Sequence, residues 1–321
     1  MRVAVLSGGR SSEHDVSLRS GEAVARGLES AGHEAVRVRI DRDGAWSSDG
    51  EAVELSPAAG LLGCDVAFPA LHGPYGEDGS VQGLLEWLDL PYVGSDVLAS
   101  ATCMDKLTLK RLFVQRGVPQ VDFVQAGEPG WRERCDAMGL PLWVKPSRLG
   151  SSVGISKVEE LGALDEAVGL ALRHDPRVIV EASARGREVE CSVLGNESPR
   201  ASIPGEVVAQ ADWYDYEAKY EEGGMELNVP APIEEGQLAR VRELAASVFE
   251  FAGCSGLARC DFFVEPGGEV LVNEINTMPG FTETSVYAKL FEASGVPYAE
   301  LCDRLVGLAL ERHERARSYE F

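Results

Sequence analysis

The stretch Gly256-Leu-Ala-Arg-Cys-Asp-Phe-Phe-Val-Glu-Pro-Gly-Gly-Glu-Val-Leu-Val-Asn-Glu-Ile-Asn276 constrains this 321-residue chain more than any other. Two runs that alternate apolar with polar residues flank Pro266-Gly267-Gly268-Glu269, which predicts a β-hairpin. If the turn is symmetric about Gly267 and Gly268, Asp261 lies opposite Glu274 and Arg259 opposite Asn276. All four then share one face, because side chains alternate along a strand. Cys260, Phe262, Val264, Val270, Val272 and Ile275 are assigned to the core side. Two carboxylates and an amide without His or Cys make an oxygen-only set suited to Mg²⁺ or Mn²⁺. A solvated polar sheet face is the competing reading.

The rest of the chain reads as alternating elements. Arg2 to Leu6 is a strand that stops at Ser7-Gly8-Gly9, and Val16 to Ala31 repeats apolar residues at helical spacing. Strands at Ala35 to Ile40 and Asp65 to Leu71 and a helix around Val81 to Leu88 follow. They predict a parallel, helix-covered sheet over the first hundred residues, ending near Gly94 and a Ser/Ala-rich turn. Beyond Asp105 the grammar changes. A helix (Lys106 to Gln115), strands at Val121 to Gln125, Leu142 to Lys145 and Ile155 to Val158, a helix from Glu159 to Leu172 and the strand Val178 to Ala182 form an α+β unit. A further strand begins near Arg187, Asp212 to Gly224 reads as a long polar loop, and Glu234 to Phe251 as an amphipathic helix.

Composition narrows the function. With 45% apolar residues and no low-complexity tract the chain is globular, and its net charge of −22 disfavours nucleic acid as a partner. The apolar run at the N-terminus is too short for a signal peptide, and no stretch is long enough for a membrane span, so a soluble, cytoplasmic protein is expected. Seven scattered cysteines without CxxC spacing read as buried thiols.

Three loops carry further chemistry. Lys145 precedes Pro-Ser-Arg-Leu-Gly-Ser-Ser-Val-Gly, where small residues let backbone N–H groups close around an anion, with Lys145 and Lys106 adding charge for phosphate; an ordinary hairpin turn is equally compatible. There is no GxxxxGK[ST] and no GxGxxG, which excludes a Walker-type loop and disfavours a nicotinamide dehydrogenase. His72-Gly-Pro-Tyr-Gly-Glu-Asp-Gly and Glu13 fall at the carboxyl edge of the N-terminal sheet, where such sheets place ligands. Either residue also has a structural reading, Glu13 as a helix N-terminal acid. Asn276 to Val286 offers backbone and hydroxyl donors after the acidic strand.

Taken in order, GGRSSEHDVSLRSG, HGPYGEDG, MDK, VKPSRLGSSVGISKV, YDYEAKY, ARCDFF and NEINTMPGFTETS resemble the D-alanine–D-alanine ligases of the ATP-grasp superfamily, over nearly the whole chain. The resemblance implies an N-terminal Rossmann-like domain (1–101), a central ATP-grasp subdomain (102–185) and a C-terminal one (186–321). It also implies ATP, two Mg²⁺ (or Mn²⁺), D-alanine as substrate and a homodimer. Carried over by position, Asp261, Glu274 and Asn276 resemble the metal ligands. Lys106, Lys145, Glu181, Glu188 and Lys219 resemble the ATP-binding residues. Glu13, Ser151, Tyr220, Arg259 and Gly280 resemble the catalytic set, and His72, Ser285 and Val286 the substrate-binding one. A Tyr at 220 accompanies an amine nucleophile in that family. The segment Glu181-Ala-Ser-Ala-Arg lacks an aromatic that would stack on adenine, and nothing in the sequence explains the acidity of Glu217, Glu221, Glu222 and Glu226. The competing readings are the same chemistry joining D-alanine to D-serine or D-lactate, or another carboxylate to another amine; a nucleotide-binding regulator without turnover, which needs no oxyanion donor; and the dehydrogenase already disfavoured.

Overall fold

The structure, a computed structural model, describes residues 1–57, 60–209 and 225–320. The Asp212 to Gly224 segment, with Lys219 and Tyr220, lies outside the described residues.

The β-branched run at the start becomes the strand Arg2–Gly8, paired in parallel with Glu34–Ile40 on one side and Val66–Pro69 on the other. Trp46–Ser48 and Glu51–Ala52 extend this sheet antiparallel at its edge. Helix His14–Ser30 crosses from the first strand to the second and buries Val16, Val24 and Leu28. The Ser/Ala-rich segment expected as a turn is instead a helix, Val97–Met104. Asp96 starts it by accepting the Ala99 N–H at 2.8 Å, a cap worth about 1 kcal/mol.

A second sheet orders its strands Phe123–Gln125, Val178–Ala182, Leu142–Pro146 and Ser156–Val158, all antiparallel. The helix expected from Glu159 opens as a 3-10 turn, Leu161–Ala163, before Leu164–Ala171. Helix Lys106–Arg116 is stapled to this sheet at its N-terminus. Asp105 caps Thr108 N–H and accepts the Ser147 hydroxyl, while Lys106 N–H donates to Ser147 O at 2.9 Å. Gly117, at φ 65, ends it.

The third sheet runs Met225–Asn228, Gly205–Ala209, Arg187–Gly195, Gly256–Val264 and Val270–Asn276, with Arg200–Ala201 on the Arg187 strand. Helix Glu235–Phe251, opened by a Glu234–Gln237 capping box, covers its inner face with Val241, Leu244, Val248 and Phe249. Helices Val286–Ala293 and Tyr298–Arg317 return to the first sheet. Phe281, Tyr287, Phe291, Leu301 and Leu305 share one core with Val3, Val5, Val24 and Leu28, so one apolar cluster joins the N-terminal sheet to the end of the chain.

The predicted hairpin is present with Asp261 opposite Glu274 and Arg259 opposite Asn276, but a one-residue offset lies between site and turn. Val264 pairs with Val270 and Phe262 with Val272, and a register shift between Asp261 and Phe262 leaves Asn273 as the extra residue. The turn is therefore one residue off the assumed symmetry, and the bulge restores the pairing at the acids.

Candidate active site

A cleft of about 580 Å³ lies where the three sheets meet. Its lining contains Glu13, His72, Lys106, Ser151, Glu188, Arg259, Asp261, Glu274, Asn276, Gly280, Ser285 and Val286, twelve of the fourteen predicted site residues that fall among those described. The other two, Lys145 and Glu181, sit behind that wall, in strands Leu142–Pro146 and Val178–Ala182.

The hairpin supplies the acidic floor. Arg259 grips Asp261 through Nε and Nη2 at 2.8 and 2.7 Å, and its Nε also lies 2.9 Å from Glu190 on the neighbouring strand. Burial disfavours the charged guanidinium, but Asp261 and Glu190 outweigh that and hold its pKa well above the ordinary value. Asn276 donates its amide to Asp261 at 3.0 Å, and Lys106 bridges Glu274 (3.1 Å) and the Leu149 carbonyl (3.0 Å).

The lysine expected at the phosphates, Lys145, lies 2.6 Å from Glu181, whose other oxygen meets Lys110 at 3.0 Å. Burial pushes the Glu181 pKa up; the two lysines overcome this and drive it down to about 2. The side chain of Glu181 is thus committed to lysines and is only 2% exposed, so any adenine contact at this residue comes from its backbone.

On the opposite wall, Glu13 is buried, and Ser151 donates its hydroxyl to Glu13 Oε1 at 2.5 Å. Glu13 is also the N-cap position of helix His14–Ser30, so the helix-terminal placement and this bond across the cleft hold together. Gly73 permits it: at φ 72 it takes a left-handed conformation, and a Cβ there would fall 2.4 Å from Glu13 Oε2. Ser151 and Ser152 are themselves left-handed, at φ 50 and 60, which is uncommon for residues with a side chain.

His72 is buried with both ring nitrogens engaged. Nδ1 lies 2.9 Å from the Met278 carbonyl, so Nδ1 carries the proton, and Nε2 accepts from Ser20 Oγ at 2.9 Å. Desolvation lowers its pKa although Glu13 opposes the shift, which fits a neutral ring. Its place is in the wall, where it holds Met278. Glu77 holds the same residue from the other side, accepting the Met278 N–H at 3.1 Å and the Gly73 N–H at 2.6 Å. Desolvation, then the charge of Glu13, push the Glu77 carboxyl up to about 8. The loop between Asn276 and Gly280 is fixed by this two-sided grip. Ser285 is the N-cap of helix Val286–Ala293, its Oγ accepts the Thr282 N–H at 2.9 Å, and Val286 opens the helix toward the cleft.

Sequence reasoning missed Glu77, Lys110 and Lys289, which lies on the cleft wall one turn into that helix. Lys110, one turn after Lys106, had a signal: a lysine in the middle of an apolar helix face needs a buried acid.

Among the described residues no cluster of three or more His, Cys, Asp or Glu is arranged to hold a metal ion. Two carboxylates and an amide oxygen still fit a hard cation such as Mg²⁺, which takes one or two protein carboxylates and completes its shell with water and phosphate. Among the described residues no helix is long and apolar enough to cross a membrane.

A sheet carrying Lys145, with the Lys106–Arg116 helix stapled to it, and a second sheet carrying the paired acids, both set at one cleft beside an N-terminal parallel-sheet unit, define a ligase of the ATP-grasp class. The family described as D-ala D-ala ligase C-terminus matches residues 112–307, and D-ala D-ala ligase N-terminus matches 2–61 and 51–95. The chain belongs to the D-alanine–D-alanine ligase family, whose members use ATP and divalent metal ions. It is 47% identical to the D-alanine–D-alanine ligase of Deinococcus radiodurans, over 97% of this chain and 98% of that protein. It is 44% identical to that of Solibacter usitatus, over 100% and 99%. Among solved structures it is similar to the D-alanine–D-alanine ligase of Coxiella burnetii (TM-score 0.89, 35% identity, covering 99% and 96%) and to a D-Ala:D-Ser ligase of Enterococcus faecalis (0.87, 34%, 96% and 99%).

Proposed function

We propose that the chain joins two D-alanines into D-alanyl-D-alanine for peptidoglycan precursors, at the expense of ATP. The carboxylate of the first D-alanine attacks the γ-phosphorus, forming D-alanyl phosphate and releasing ADP. The neutral amine of the second then attacks the acyl carbon, and the tetrahedral intermediate expels inorganic phosphate.

The observation that carries this reading is the continuity of one cleft between two kinds of wall. On one side stand Lys106, Glu188 and the Asp261–Glu274–Asn276 face; on the other, Glu13 with Ser151 and the helix beginning at Val286. Glu13 is the carboxylate to hold the first D-alanine's ammonium, with Ser151 fixing its direction. Arg259, whose Nε and Nη2 are taken by Asp261, offers Nη1 to the developing oxyanion beside the Gly280 N–H. Ser285 and the Val286 N–H receive the second carboxylate, as a helix N-terminus does. Lys106 and Lys145 meet the nucleotide phosphates, the backbone at Glu181 the adenine, and Glu188 the ribose. Asp261, Glu274 and Asn276 would hold two Mg²⁺ (or Mn²⁺), which when bound neutralise phosphate charge. The resemblance assigns Lys219 to the γ-phosphate and Tyr220 to the Glu13–Ser151 pair; both lie outside the described residues.

The same reading keeps the division at 1–101, 102–185 and 186–321, a cytoplasmic location and a homodimer. The test is phosphate release from Mg-ATP with D-alanine, L-alanine, D-serine or no amino acid, with the product identified by mass. Release with D-alanine alone, yielding the dipeptide, is expected; no release in any arm removes the assignment.

A further inference from the structure

Lys110 is the buried lysine of the described chain, 1% exposed in the helix Lys106–Arg116. An ammonium in the interior loses several kcal/mol of hydration and persists only when an opposite charge meets it. Glu181 does so at 3.0 Å, and the same carboxylate holds Lys145 at 2.6 Å with its other oxygen. The three side chains form a line from the core outward: Lys110 and Glu181 sealed, Lys145 partly exposed at the strand end. The line carries one net positive charge. Without Lys110 it would carry none, because Lys145 and Glu181 would cancel.

We propose that Lys110 is a positioning residue for nucleotide binding: it cancels the charge of Glu181 from behind, so that Lys145, paired to the same carboxylate, keeps its positive charge for the nucleotide phosphates. The inference rests on the reading that ATP binds in this cleft. It explains why a site for a polyanion keeps a buried carboxylate against its own phosphate lysine, a pairing that by itself would weaken binding. The alternative is that Lys110 only fills the space between the helix and the sheet.

The two differ in the response to removing Glu181 as well. Binding of Mg-ATP by calorimetry, and KM for ATP and for D-alanine, are measured on full-length wild type, Lys110→Met and Lys110→Met/Glu181→Gln. Lys110→Met should weaken ATP binding and raise its KM by about tenfold, the scale of one unit charge about 12 Å away in an effective dielectric of about 20. The KM for D-alanine should stay within about twofold. In the double variant Lys145 stands beside a neutral amide, the net charge returns to one, and ATP affinity should recover to within about threefold of wild type. A Lys110→Met protein with wild-type ATP affinity, or a double variant as weak as the single one, overturns the proposal. If Lys110→Met fails to fold, Lys110→Gln, a neutral side chain whose amide can still donate to Glu181, takes its place and is read by the same two outcomes. Wild-type protein that binds no Mg-ATP overturns both this proposal and the reading beneath it; wild-type binding with an indifferent Lys110→Met overturns this one alone.

Discussion

The Ser151 hydroxyl donates to Glu13 Oε1 at 2.5 Å across 138 residues of chain, joining the loop of one sheet to the helix start of another. A hydrogen bond to a charged group contributes about 1.5–3 kcal/mol, so Ser151→Ala should raise the KM for the first D-alanine by roughly ten- to a hundredfold. Ser152→Gly is the control. It removes a left-handed non-glycine residue at φ 60, relieving about 1 kcal/mol of backbone strain, without touching the bond to Glu13. Steady-state kinetics of both variants test the pair, and equal losses in the two would show that loop conformation, not the hydroxyl, matters.

Arg259 should tolerate no conservative change. Lysine keeps the charge but has no planar fork to grip both Asp261 oxygens and Glu190 while presenting another donor. Arg259→Lys is expected to lower kcat by about 10²–10³-fold, the usual effect of losing an oxyanion donor, while ATP affinity moves little. A matching loss of ATP affinity in calorimetry would assign Arg259 to nucleotide binding instead.

Asp261 and Glu274 should govern the requirement for divalent cation. Residues that only support metal ligands cost about 10–100-fold in metal affinity when changed, so Asp261→Asn or Glu274→Gln should raise the Mg²⁺ concentration for half-maximal activity at least that much. Titration with Mg²⁺ and Mn²⁺ at saturating ATP reads this out; an unchanged midpoint in both variants would move the cation site elsewhere.

Stability should fall as pH rises through the neutral range, and Glu77 should be a main cause. Its folded carboxyl titrates near 8, above the ordinary value of 4.5, so between these pH values the folded state holds a proton that the unfolded chain has lost. Each step toward pH 8 then favours unfolding. Glu181 runs the opposite way: with its folded value near 2, its contribution is full above the ordinary carboxylate range and disappears as acid approaches pH 2. Urea midpoints of wild type and Glu77→Gln at pH 5.5 and 8 test the first statement. The wild type should lose ground to the variant at the higher pH, and parallel curves would contradict it.

The hairpin illustrates what the sequence discloses and what it hides. Pairing of Asp261 with Glu274 is legible from alternation, yet the assumption of a symmetric turn is off by one residue and succeeds because of the bulge at Asn273. That bulge had a trace. The core positions Val270 and Val272 are even-numbered and Ile275 is odd, so the alternation breaks between them. Helices Val97–Met104 and Trp131–Met138 escaped because one is mostly small residues and the other is half charged, leaving no apolar period to read. Individual site residues such as Glu13 and Ser151 could be nominated from local motifs, but their bond spans sheets, and local spacing carries no signal for it. The double grip of His72 and Glu77 on Met278 is hidden for the same reason.

Because Leu301, Leu305 and Val306 of the last helix fill the same core as Val3, Val5 and Leu28, the first sheet leaves the ribosome with one side only partly covered, by Val24 and Leu28 of helix His14–Ser30. The rest of its covering emerges some three hundred residues later, after the other two sheets. At about 5–20 residues per second that interval lasts tens of seconds, during which Val3, Val5 and Val66 are open to other chains. Assembly of the opening domain is therefore a late event in synthesis, and ribosome-bound chains stalled before Tyr298 should recruit holdase chaperones that chains released past Arg317 do not.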